Sequence, residues 1–166
     1  MAEAQTAATG MEIFKMAAIL GRRYSGAVSI FRHIYRVVYA DCTVGNHVYY
    51  SRYLDILEAA RGEFFRGLGV TLLELQARDT IFPVVECHLR YKSPARYDEV
   101  LTIELWTTLV QGARVNFGFR ILRDEKVLIL EGETFHVCTG LNEKPKRVPE
   151  ELVATLKNFL TTDEHE

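Results

Sequence analysis

Between Tyr39 and Arg61 the chain gathers side chains able to activate water against an electrophilic carbon, and the type of each limits what it could do. Asp41 can orient a water molecule or cap a turn. Thr43 can hold water or donate a hydrogen bond, but a hydroxyl is no base near neutral pH. His47 carries an imidazole that titrates near neutrality, so it is either a proton acceptor for water placed by Thr43 or a solvated loop histidine. Glu58 and Arg61 are neighbours on a helix at i,i+3 spacing, and they read either as a partly buried ion pair or as a carboxylate base with its partner. Cys42 sits beside Thr43 without a fixed histidine partner, which argues against a thiolate nucleophile. His33, His47, His88, His136 and the cysteines show no metal-ligand spacing, so neither a metal nor a cofactor is implied.

Hydrophobic periodicity indicates the elements that must hold these groups. From Phe31 to Tyr39 apolar and aromatic residues fall mostly on odd positions, with Arg32 and Arg36 opposite, as in a half-buried strand. From Tyr50 the period changes to that of a helix: Tyr50, Leu54, Leu57, Phe64 and Leu68 form a stripe that ends near Gly67 and Gly69. On this reading the Tyr50 side chain is a core aromatic. The helix start, near Val48 to Tyr50, leaves unpaired backbone N–H groups and the positive end of the dipole, a place for a developing oxyanion.

Alternating segments follow at Val85–Lys92, Leu101–Leu109 and Val115–Ile121. A last segment, Val127–Val137, is apolar on both faces at its start, which predicts a central strand or a subunit contact, and Gly132 within it marks a bulge or a close backbone approach. The joins at Gln111–Ala113 and Arg123–Lys126 are hairpin-sized, so the strands run antiparallel. A final helix begins near Pro149. The predicted class is α+β: one long helix against an antiparallel sheet of about five strands.

Bulk properties narrow the field. With 166 residues, 20 basic and 22 acidic side chains and a formal charge of -2, the chain fits one domain and offers no general attraction to nucleic acid. Three widely spaced cysteines without a Cys-x-x-Cys pair fit a reducing, cytoplasmic setting. The start lacks a secretory n-region, and Met16–Leu20 is too short an apolar run to span a bilayer, so no membrane partner is expected. Residues 1–30 read as a poorly ordered extension, 31–160 as the folded domain and 161–166 as an acidic tail. Lys15, Arg22, Arg23, Arg32 and Arg36, with no acid between Ile13 and Ala40, admit a transit peptide or a phosphate contact as alternatives for the basic stretch.

The local sequence adds a resemblance. Tyr39-Ala-Asp-Cys-Thr-Val-Gly-Asn-His-Val-Tyr-Tyr-Ser-Arg-Tyr-Leu54, then Glu58-Ala-Ala-Arg61, then Tyr91-Lys-Ser-Pro-Ala-Arg-Tyr-Asp-Glu99, resembles the signature segments of the 4-hydroxybenzoyl-CoA thioesterase and YbgC-like acyl-CoA thioesterase family. The resemblance runs from about Ile34 to Val153 and implies a hotdog fold, in which the sheet wraps around the long helix. It also implies an acyl-CoA or acyl-carrier-protein thioester as substrate, a homodimer or homotetramer with sites between subunits, and the Tyr50 N–H as the carbonyl contact. In the family pattern the second aspartate of the loop is nucleophile or general base. Thr43 stands at that position here, while the first aspartate is retained as Asp41. Some hotdog thioesterases, such as those of the enediyne polyketide type, also lack an acid there and work with polar side chains and backbone donors. The resemblance therefore predicts a thioester hydrolase with an atypical site drawn from Thr43, Asp41, His47, Tyr50 and Glu58. The alternatives are a non-catalytic acyl-thioester binding protein, and an acyl-thioester hydratase or dehydratase whose usual histidine motif is not seen.

Overall fold

A computed structural model describes residues 29–161; the expectations for residues 1–28 and 162–166 concern positions outside the described ones. The chain runs through β1 (Phe31–Arg36), a 3₁₀ turn (Tyr39–Asp41), a minimal hairpin of β2 (Cys42–Thr43) and β3 (His47–Val48), helix α1 (Arg52–Gly67) and helix α2 (Leu72–Ala77). It continues through β4 (Val84–Tyr91), β5 (Val100–Gln111), β6 (Arg114–Arg123), β7 (Val127–Val137) and helix α3 (Glu150–Lys157). Five strands form one sheet in the order β1-β5-β6-β7-β4, every pair antiparallel, with α1 laid across one face. This is the expected α+β arrangement.

Helix α1 is held by its apolar face. Tyr53, Ile56, Leu57, Ala60, Phe64 and Phe65 are buried, at the three- and four-residue spacing that puts one helix side toward the sheet. Phe64 lies at the centre, edge-on to Phe31, Phe65, Phe117 and Phe159. Across the interface Leu101, Ile103, Leu105, Val115 and Ile121 are fully buried. At about 25 cal/mol per Å² of apolar surface removed from water, this layer is the main stabilising term.

The buried stripe keeps Leu57 and Phe64 of the one read from sequence but departs from it at the helix start. Tyr50 and Leu54 are 61% and 43% exposed, so the Tyr50 side chain is a surface residue and not a core aromatic. The helix begins at Arg52, which leaves Tyr50 outside the helical period, and the sheet-facing series starts at Tyr53. Two further boundaries differ. The first strand stops at Arg36, because the next residues turn into the 3₁₀ segment and Tyr39 becomes exposed. Helix α2 lies in a stretch to which the periodicity assigned no element; Thr71 and Glu74 start it with a reciprocal capping box.

Strand β7 occupies an interior position between β6 and β4, with Ile129 and Leu130 fully buried, which accounts for its doubly apolar start. Gly132 permits a close approach: a Cβ there would run into the His88 carbonyl on β4. Strand β4 forms the sheet edge, and its residues are exposed except for half-buried Leu89, so the alternation seen in its sequence has no cover among the described residues. No described helix is long and apolar enough to cross a membrane.

Candidate active site

Helix α1 starts where the loop from β1 delivers it. The Tyr49 N–H donates to the Asp41 carbonyl (2.9 Å) and the Val48 N–H to the Ala95 carbonyl (2.9 Å), tying the β2–β3 hairpin to both the 3₁₀ turn and the β4–β5 connection. The Tyr91 hydroxyl donates to the Tyr50 carbonyl (3.0 Å), which fixes the peptide plane leading into the helix. Ser51 occupies the cap position without a side-chain cap bond. Among the described residues, neither the Tyr50 nor the Ser51 N–H has a hydrogen-bond partner. Two free donors at the positive end of a helix of 16 residues suit a developing negative charge on a carbonyl oxygen.

The hairpin brings two of the predicted side chains together. Thr43 and His47 are direct cross-strand partners, so they share one face of the hairpin. Thr43 is exposed and His47 half-buried. The turn between them needs left-handed backbone at Gly45 (φ 89°) and Asn46 (φ 56°), and the imidazole folds back over Gly45, so that a Cβ at that glycine would lie 2.8 Å from Nε2. Arg96 pins the same turn through the carbonyls of Gly45 and Asn46, each at 3.2 Å.

Asp41 is engaged in holding this loop. Its Oδ2 accepts from the Tyr35 hydroxyl (2.7 Å) and from the Val38 N–H (2.9 Å), and the residue is buried. Burial, and then the Asp41 carboxylate, push the Tyr35 hydroxyl up to about 12, so it stays a donor throughout the physiological range. The geometry is that of a turn cap. Cys42 donates weakly to the Val38 carbonyl, and burial raises its thiol above the usual range, contrary to what a thiolate nucleophile requires.

Glu58 lies elsewhere. It is six residues beyond the helix start at Arg52, roughly 9 Å along the axis at about 1.5 Å per residue. There it lines a cleft of about 310 Å³ between α1 and strands β4, β6 and β7, with Leu54, Leu57, Val84 and Phe119 as apolar walls. Both Glu58 oxygens accept from Nη2 of Arg61, at 2.8 and 2.7 Å. The Glu58 side chain is 52% exposed, whereas Arg61 is 8% exposed and is anchored in the protein. Arg61 Nη1 donates to the Phe82 carbonyl (3.0 Å) and to Nδ1 of His136 (2.8 Å), and His136 Nε2 meets the Thr134 hydroxyl (2.9 Å). His136 is held down to about 4 by burial and then by the Arg61 charge, so the imidazole is neutral.

The chain thus presents two separate groups: Thr43, His47 and the N–H groups of Tyr50 and Ser51 at the helix start, and Glu58 with Arg61 further along α1. His136, Thr134 and Tyr91 were missed in the sequence. His136 and Thr134 sit in an alternating strand that reads as core, while the burial of Arg61 was the signal that a partner had to exist. A larger concavity of about 800 Å³ lies on the opposite face of the sheet, among Trp106, Arg120, Glu131 and Glu133, and none of the predicted site residues reaches it. Among the described residues no cluster of three or more His, Cys, Asp or Glu side chains could hold a metal ion.

A five-stranded antiparallel sheet wrapped around one helix, with free donors at the helix start and a charged pair along it, defines a hotdog protein. The family model of the thioesterase-like superfamily matches residues 37–156. Over 130 residues the chain is 34% identical to the acyl-CoA thioester hydrolase YbgC of Escherichia coli, covering 78% of this chain and 97% of that protein. A hypothetical protein from Thermus thermophilus superposes with a TM-score of 0.72 at 33% identity, covering 79% of this chain and 98% of the other. A probable thioesterase from Bartonella henselae does so with a TM-score of 0.69 at 28% identity, covering 73% and 100%. The chain belongs to the thioesterase-like superfamily, among the YbgC-like hotdog thioesterases.

Proposed function

We propose that the protein hydrolyses acyl-CoA thioesters, with the Tyr50 and Ser51 N–H groups polarising the carbonyl and Glu58 drawing a proton from the attacking water. The water oxygen bonds to the acyl carbon, the C–S bond breaks, and the CoA thiolate leaves with little acid assistance, since thiols are already fairly acidic. The observation that carries this reading is the Glu58 carboxylate, fixed by a buried arginine at the wall of a cleft with Leu54, Leu57, Val84 and Phe119 as its apolar side, on the helix that also presents the free donors.

Donors and carboxylate on one helix are too far apart to serve one carbonyl. The site is therefore completed by a second copy of the chain, whose antiparallel helix sets its Glu58 opposite these donors. The uncovered β4 edge, with Val84, Val85 and Tyr91 exposed beside Tyr50 and Leu54, is the surface on which such a homodimer pairs. Cys42, Cys87 and Cys138 are all free thiols, in keeping with a cytoplasmic location.

The test is thiol release from butyryl-, palmitoyl- and benzoyl-CoA. Wild type turns over at least one of them, and Glu58→Gln loses activity about 100-fold. Mixing Glu58→Gln with Tyr50→Pro, which removes one of the two donors, restores about a quarter of wild-type activity, because half of the pairs are mixed and each holds one intact site. Silence across the panel sinks the function, and absence of complementation sinks the shared site. A second reading, in which His47 is the base acting through water on Thr43, is favoured by their cross-strand pairing. In that case His47→Ala, and not Glu58→Gln, abolishes turnover.

A further inference from the structure

Glu58 is half exposed on a flexible stem, and a base must be held still to be effective, so what fixes it bears on the rate. Arg61 provides one hold, but an arginine side chain has many rotamers of its own and needs an anchor from outside its helix. That anchor comes from two places: the Phe82 carbonyl, just before β4, and His136 on β7. A guanidinium can only donate, so the 2.8 Å contact assigns Nδ1 of His136 as an acceptor. The ring proton is then on Nε2 and goes to the Thr134 hydroxyl at 2.9 Å. With Nδ1 accepting from Arg61 it carries no proton, so the Phe82 carbonyl, 3.1 Å from Nδ1, is a neighbour of the ring and not its partner.

We propose that His136 is a positioning residue of the thioesterase site: its Nδ1 lone pair fixes the Arg61 guanidinium, which in turn orients the Glu58 carboxylate into the cleft. This rests on the assignment of Glu58 as the base. The chain Thr134–His136–Arg61–Glu58 starts in the sheet, crosses the cleft wall and ends on α1, so the carboxylate is referenced to the rigid sheet and not to its own helix alone. His136 and Thr134 are 2% and 5% exposed, and Phe117 packs edge-on against the imidazole at 5.2 Å, which leaves the ring a single orientation. Neither residue needs to touch the reacting atoms.

The test exploits the two ring nitrogens. Asparagine places its amide oxygen near the position of Nδ1 and can still accept from Arg61, whereas glutamine extends its polar end toward the position of Nε2 and supplies Thr134 instead. In thiol-release assays with the acyl-CoA that wild type turns over best, His136→Asn keeps kcat within about threefold of wild type, and His136→Gln loses about tenfold or more in kcat with KM changed less than about twofold. A residue that merely fills space gives the reverse order, because glutamine is closer to histidine in volume. Thr134→Val, which removes only the Nε2 partner, lowers kcat by less than His136→Gln and serves as the second variant should the glutamine protein fold poorly by circular dichroism. In a Glu58→Gln background, His136→Gln has no further effect on the residual rate. Equal activity of the asparagine and glutamine variants, or an additive loss in the double variant, overturns the proposal. If Glu58→Gln alone leaves turnover intact, the assignment of the base has failed and this inference falls with it.

Discussion

Protonating the His136 imidazole would place two cations within 2.8 Å of each other in a buried site, so the folded protein resists it and the unfolded chain does not. In the folded state the ring titrates at about 4, against the ordinary histidine value of 6.5. The folded pKa is depressed, so the unfolded state binds the extra proton first. Stability is therefore fully present above pH 6.5, falls as the pH drops through the window from 6.5 to about 4, and levels off below it. At about 1.4 kcal/mol for each pH unit between those two values, the whole window is worth about 3 kcal/mol, and between pH 7.5 and pH 5 the loss is about 2 kcal/mol. Urea denaturation of wild type and His136→Asn at both pH values, at one protein concentration, isolates this contribution, because the carboxylates titrate alike in the two proteins. Wild type should lose about 2 kcal/mol more than the variant on acidification. Equal losses would mean that the imidazole is already protonated or hydrated in the folded state, and the Arg61 acceptor geometry would then be wrong.

Three other outcomes follow from the same structure. Tyr35→Phe removes the hydroxyl that Asp41 accepts from at 2.7 Å and leaves a buried carboxylate oxygen with the Val38 N–H alone, so thermal or urea unfolding should show a loss of about 1–2 kcal/mol. Restoring an acid at the loop, Thr43→Asp, should raise kcat on the preferred acyl-CoA by about tenfold, provided the hairpin keeps its turn; unchanged or lower kcat would place the chemistry away from the loop. A charge on the β4 edge, Val85→Lys, should shift the protein toward monomer in analytical ultracentrifugation and lower activity in parallel, and a monomer of full activity would refute the shared site.

The sheet was legible because its segments alternate cleanly and are joined by short polar turns: β5, β6 and β7 have strong hydrophobic faces and hairpin connections that leave few topologies open. The helix was legible as an element, and its middle in phase, but its start was not. Tyr50 and Leu54 carry apolar side chains at helical spacing, yet the sheet takes the face that begins at Tyr53, so Leu57 and Phe64 of the expected stripe are buried while Tyr50 and Leu54 stay exposed. Periodicity reports that a residue is apolar, not which apolar surface the same chain will cover. Apolar residues that stay on the surface and apolar residues destined for the core look the same in one sequence.

That ambiguity bears directly on the site. Asp41, Thr43 and His47 were legible as candidates because polar residues crowd a short loop, but their division of labour depends on distances that sequence does not carry: Asp41 is occupied by Tyr35 and Val38, while Thr43 and His47 face each other. Glu58 was legible through Arg61, since a charge on an apolar stripe demands a partner. The further partner, His136, is 75 residues away in sequence and stands in a strand whose alternation marks it as ordinary core. What converts it from filler to support is the direction of one lone pair. A guanidinium that can only donate leaves Nδ1 the acceptor role, and the same constraint that orients Glu58 sets the tautomer of a histidine on the far side of the cleft.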